Sequence, residues 1–273
     1  MSNHKNFPRA TVAPAQSVAP FPVAPTLSLS AALGDQLSRL YALVQKSAHV
    51  FGSPLGPVVH EGRNYQLPRF VYFGPHTSEE SVRLAFLGSF DSRDLRPTLA
   101  LLHLVEQLAL EPSIGQSLHL AFYPLIDLLG HLSAVSDRAL RSAAWTYPSP
   151  PEINALAQDA KHRAYHGFIR IETAPADEVI TLRLRGPRIN TDEIEFISSE
   201  ETDPFPVRFE SWPDQPVLDG PLSLGDDLLF RPFEVTLRVP GNWPLESYSE
   251  AVSSILKRFI IRYRGFLAYG QNL

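Results

Sequence analysis

The chain has 273 residues, 44% of them hydrophobic and 19% charged, which excludes a disordered chain and allows a sizeable buried core. Its net charge of −5 argues against a general nucleic-acid binder, because neutralising phosphates takes a basic surplus. It has no cysteine, so disulfides, thiolate catalysis and Cys-type zinc sites are excluded, and it lacks the run of about 18 apolar residues that a membrane span needs.

The opening residues MSNHKNFPRATVAPAQ show no apolar stretch of the secretory type, and a cytoplasmic location fits best. Residues 1–27 are rich in Pro, Ala, Ser and Val, which favours an extended arm of polyproline II type ahead of one domain over 28–273. Leu33, Leu37, Leu40, Tyr41 and Val44 then fall on one helical face. A Gly/Pro-rich stretch follows (FGSPLGP), and VVHEGRNYQLPRFVYFG reads as a hairpin of short strands.

VRLAFLG (Val82 to Gly88) is a continuous apolar run, as expected of a strand covered on both faces. A polar loop leads to a helix from about Pro97, with Leu101, Leu102, Val105 and Leu108 inward. LHLAFYPLI (Leu118 to Ile126) is a second buried strand, which completes a right-handed βαβ unit. Residues 128–150 read as a long loop. Ser149 is expected to cap a helix with Pro150 and Pro151 in its first turn. GFIRIETA, VITLRLRG, PVRFESW and FEVTLRVPG follow as strands, and a final helix carries Tyr248, Val252, Ile255, Phe259 and Ile260 on one face. This alternation predicts a three-layer α/β/α sandwich with a mixed, largely parallel central sheet.

The order of elements resembles the zinc carboxypeptidases, carboxypeptidase A-like and succinylglutamate desuccinylase-like. Those proteins carry Gly-x-His-x-x-Glu at the end of a strand. Here LAFLGSFDSRD keeps Gly88 but places Phe90 on the histidine and Arg93 on the glutamate. PLIDLLG stands against Pro-x-x-Asn-Pro-Asp-Gly, with Pro124 and Gly130 kept and Asp127 at the Asn place. The family's Asn-Arg pair is missing; Arg138 and Arg141 are the substitutes at hand, and Pro151 and Glu152 match the following helix start. Glu172 falls on the third ligand and Arg238 on the general base.

The resemblance spans residues 67 to 262 and implies a carboxypeptidase-like fold. It also implies the loss of its chemistry, since zinc hydrolysis needs three N or O ligands and a carboxylate base. Phenylalanine cannot ligate, and arginine serves neither as ligand nor as base. The expected protein is a pseudoenzyme with no cofactor, acting by binding or scaffolding. Phe90, Arg93, Asp127, Glu172 and Arg238 are its candidate site residues. They are expected at one cavity, either as a buried Arg93–Glu172–Arg238 charge plug, with Asp127 as a further partner, or as an anion pocket for a small carboxylate, a phosphate or a peptide. The alternative is an active hydrolase of peptide or amide bonds with a rearranged metal site, for which His103, His119 and His131 are the candidates; each reads more simply as a structural histidine. No GxSxG, Walker A or strand-linked GxGxxG pattern offers other chemistry. The acidic runs Ser198–Glu201 and Asp226–Asp227 read as solvated loops, and Trp145 and Tyr147 as structural.

Overall fold

The structure is a computed structural model that describes residues 29–133, 150–174, 179–185, 204–211 and 232–270. The arm at 1–27, Arg138, Arg141, Trp145, Tyr147, Ser149 and both acidic runs lie outside these residues.

At the centre lie four parallel strands: β6 (Leu118–Leu125), β5 (Val82–Ser89), β7 (Gly167–Ala174) and β10 (Phe233–Pro240), in that spatial order. Helix α2 (Arg96–Leu110) joins β5 to β6, as the βαβ reading expects. Both margins turn antiparallel. On one side come β4 (Phe70–Phe73) and the short β1 (Val50–Gly52); on the other β8 (Ile180–Arg185), with β9 (Val207–Ser211) parallel beyond it. Alternate residues of β5 explain why its sequence is apolar from Leu84 to Gly88. Leu84 and Phe86 enter a core shared with α1 (Leu29–Val44), α2 and α5 (Leu245–Gly270). Ala85 and Leu87 face the opposite layer, where Ile153, Leu156 and Ala160 of α4 (Pro151–Arg163) pack on them. The fold is thus the expected three-layer sandwich.

Gly88 is required by close approach. A Cβ there would lie 2.0 Å from the carbonyl oxygen of Pro124 on β6. Thr98 on α2 donates to the same carbonyl at 2.6 Å, which draws β5, β6 and α2 together next to the strand ends.

A buried polar network ties α4 to the sheet. Arg69 and Asp159 form an ion pair with side chains only 7% and 10% exposed. Arg69 also donates to the Ser53 carbonyl (2.7 Å) and hydroxyl (2.6 Å). Asp159 accepts from Tyr123, and from Arg163 at 3.0 Å. Tyr123 meets the hydroxyl of Tyr165 at 2.9 Å. Burial opposes ionisation of Asp159, but hydrogen bonds from Arg69 and Tyr123 and the charges of Arg69 and Arg163 outweigh it. They hold the carboxyl below its ordinary pKa.

The FGSPLGP stretch contributes β1 and the start of β2 (Leu55–His60). Several local expectations need correction. The hairpin comprises β2 and β3 (Arg63–Leu67) alone, because Phe70–Phe73 joins the large sheet. Residues 128–133 form a short helix, α3 (Leu128–Ser133), in place of loop. Pro150, not Ser149, is the N-cap of α4, with no side-chain cap and Pro151 at the first helical position.

Candidate functional site

The carboxyl ends of β5, β6, β7 and β10 form one rim, the usual place for ligand sites in open α/β sheets. Phe90 follows β5 and is 7% exposed, packed in the core on the α4 side. Glu172 and Arg238 are direct register partners on the parallel neighbours β7 and β10. Parallel pairing points both side chains to the same face. Arg238 Nε lies 3.9 Å from Glu172 Oε2.

The residue that links these positions is Arg170. Its guanidinium carbon sits 4.3 Å from the centroid of the Phe90 ring, within cation–π range. Its Nε lies 2.8 Å from Glu172 Oε1, although the N–H is not aligned on that oxygen, so the contact is ionic rather than a directed hydrogen bond. Phe90, Arg170, Glu172 and Arg238 thus form a continuous cluster, with two guanidinium groups on one carboxylate. The side chains of Arg170, Arg238 and Glu172 are 16%, 20% and 34% exposed, so the cluster is partly solvated rather than a buried plug.

Arg93 takes a different place from the one expected. It pairs in bidentate fashion with Asp91, at 2.8 and 2.6 Å, and its side chain is half exposed. Arg170, not Arg93, is the arginine against Glu172. The signal for this was present in FIRIET, where period-2 alternation puts residues 170 and 172 on the same face.

Asp127 also departs from expectation. It is fully buried and, among the described residues, has backbone amides as its partners: Oδ2 accepts from the Ser92 amide at 3.0 Å and Oδ1 from the Gly130 amide at 3.1 Å. It caps α3 and pins the loop that carries Phe90 and Arg93. A Cβ at position 130 would meet this carboxylate at 2.4 Å, which explains the glycine there. Glu152, also fully buried, accepts from the Leu129 amide at 3.2 Å and holds α3 from the α4 side.

A catalytic zinc does not fit this donor set. Phe90 has no donor atom, Arg93 is cationic, and Glu172 is the one carboxylate left, already engaged by arginine. The histidines considered for a relocated site are dispersed. His103 lies on α2, on the other side of the sheet from α4, where its ring meets Gln107 and Glu106. His119 lies near the start of β6 and His131 on α3, beyond its end. Among the described residues, no group of three or more His, Cys, Asp or Glu side chains is placed to hold a metal ion.

A mixed sheet with a parallel centre, flanked by helices and carrying its candidate residues on the loops and ends of β5, β7 and β10, defines a metallo-carboxypeptidase-like fold. The chain superimposes on the metallo-carboxypeptidase of Burkholderia cenocepacia with a TM-score of 0.66 at 13% identity, covering 85% of this chain and 69% of that one. The metallo-carboxypeptidase of Pseudomonas aeruginosa gives 0.60 at 14% identity, covering 83% and 68%. Bovine thrombin-activatable fibrinolysis inhibitor gives 0.58 at 12%, covering 87% and 97%. No protein-family model and no curated protein matches the sequence. Among the described residues, no helix is long and apolar enough to cross a membrane.

Proposed function

We propose that this chain is a carboxypeptidase-fold protein that has exchanged zinc hydrolysis for binding, and that its ligand is a carboxylate-bearing small molecule or peptide. The observation that carries this reading is the contact of Arg170 with both Phe90 and Glu172. By the sequence resemblance Phe90 stands where hydrolysis would need a metal ligand, and the Arg170 guanidinium lies against its ring. Two guanidinium groups stand in this cluster, and their fork geometry suits carboxylate and phosphate. The Pseudomonas aeruginosa neighbour was solved with (2-guanidinoethylmercapto)succinic acid, a ligand that carries carboxylates. The absence of cysteine is compatible with a cytoplasmic setting for this role.

Glu172 competes with the ligand for the two arginines. Ligand binding therefore requires part of its ion pairing to be exchanged, which is feasible because the cluster is partly solvated. The test is calorimetric titration of the purified protein with succinate and with phosphate. Arg238→Ala and Arg170→Ala should each weaken binding while the fold is retained. Stoichiometric zinc, lost together with peptidase or amidase activity on chelation, would instead establish an active hydrolase with a rearranged site.

A further inference from the structure

The sheet carries a second polar row, at the end opposite the cleft. Phe73 on β4 pairs in register with His119 on β6, and His119 pairs with Arg83 on β5. The row continues into His166, just before β7, whose Nδ1 accepts from the Arg83 amide at 3.1 Å. Phe73, His119 and Arg83 share parity with Ala85, Leu87, Ala121 and Tyr123, so they lie on the α4 side of the sheet. Six residue steps run from Arg83 to Ser89, about 20 Å at the usual rise, so this row and the Phe90 cluster are distinct places.

Three observations make the row more than a sheet margin. First, His119 Nε2 and Arg83 Nε are buried without a hydrogen-bond partner. Buried polar atoms are almost always satisfied, so two such atoms side by side call for a partner such as a water, an ion or a ligand. Second, the charges that act on His119 are positive. Arg163, Arg83 and Arg69 all act on His119, and the carboxylate in their network is Asp159, shared by Arg69 and Arg163. Together with burial they push His119 down to about 4, so its ring is neutral near pH 7. Third, the aromatic surface beside it is open. Phe73 stacks on His119 with centroids 4.3 Å apart and meets Phe51 of β1 edge-on at 5.8 Å, yet Phe73 and Phe51 remain 39% and 45% exposed.

From this juxtaposition we propose that the Arg83–His119–Phe73 row is a second ligand site, for an oxyanion carried on a planar ring. The Arg83 and Arg163 charges attract the anion, His119 supplies a neutral ring nitrogen as a hydrogen-bond partner, and Phe73 and Phe51 present the apolar surface for the ring. The Arg83 backbone is held by its exchange with His166, so its side chain can change without breaking the strand pairing.

The His119 imidazole resonances of the full chain, assigned by loss in His119→Asn, report on this site and not on the Phe90 cleft. Phenyl phosphate at pH 7 should shift them and raise the His119 midpoint by about one unit or more, as an opposite charge at close range does. Inorganic phosphate should bind more weakly, and phenol should leave the midpoint where it is. Arg83→Gln should weaken phenyl phosphate by about tenfold, with Arg83→Lys restoring part of the loss and the Arg238-dependent binding at the cleft unchanged. If Arg83→Gln does not fold, Arg163→Gln on the α4 surface carries the same expectation. Unmoved His119 resonances at about 10 mM phenyl phosphate overturn the proposal. So does an affinity that is unchanged in a folded Arg83→Gln or Arg163→Gln protein, or a midpoint raised as far by phenol.

Discussion

The guanidinium of Arg170 lies 4.3 Å from the centre of the Phe90 ring while its Nε lies 2.8 Å from Glu172. One side chain therefore joins the loop after β5 to the carboxyl end of β7. Without it, the apolar and the charged halves of the cleft wall would be separate features.

Phe90→Ala should destabilise the protein by about 3 kcal/mol, since it removes a nearly buried ring from a packed cluster and takes away the surface on which Arg170 rests. Phe90→Leu should cost distinctly less. Urea unfolding of the two variants gives the comparison. Equal stabilities would mean that Phe90 is not part of a packed wall.

Glu172→Ala should have a small effect on stability, about 1 kcal/mol or less, because the ion pairs it breaks are partly exposed. A buried plug would lose several times more. The same variant should bind phosphate or succinate more tightly than the parent, because the competing carboxylate is gone. Weaker binding would show that Glu172 helps to hold the ligand.

Metal analysis of protein purified without chelator should find well under one zinc per chain. Among the described residues no group of three donors is placed to hold a metal ion, and the Glu172 carboxylate already faces two arginines.

Asp159→Asn should cost about 3 kcal/mol at pH 7, because it leaves Arg69 buried without its ionic partner. The pH dependence has a definite sign. The folded-state pKa of Asp159 lies below its unfolded value, so the unfolded chain binds more protons in the window between them. The contribution is complete above the ordinary aspartate range and is lost as pH falls through the lowered folded-state value. Urea midpoints from pH 7 down to pH 3 should show a steeper decline for the parent protein than for Asp159→Asn.

Gly88→Ala should be among the most damaging single changes outside the charged groups. The added methyl would stand 2.0 Å from the Pro124 carbonyl, so β5 and β6 must part where Thr98 and Ser89 tie them together. A loss of about 3 kcal/mol or failure to accumulate folded protein is expected, against a wild-type-like melt for Gly34→Ala, where the space is open.

The central strands were legible because they are buried on both faces, and continuous apolar runs such as Val82–Leu87 have few other readings. The last helix was legible from its period, and its inward positions from Tyr248 to Ile260 are buried. The short margin elements were not. β1 has three residues and two of them are exposed, so its sequence carries no periodic signal. Helix α3 has six residues and is held from α4 by the contact of Glu152 with the Leu129 amide, which local propensity does not reveal. Glu172 and Arg238 stand side by side in register on β7 and β10. The place of Arg93 was not legible, because position in a loop does not fix the direction of a long side chain, and the adjacent Asp91 offers a nearer partner. Arg170 was missed although strand alternation alone puts it beside Glu172.

Asp127 has an implication for how such a cleft can change its trade. The carboxylate grips backbone amides on two sides, at Ser92 and Gly130, and draws on none of the side chains that face the opening. The posture of the loop is thus set independently of whatever chemistry lines the mouth. Successive substitutions at positions 90, 93, 170, 172 and 238 could accumulate one at a time on an unmoving frame, and an engineer could rewrite the same five positions without having to rebuild the support beneath them.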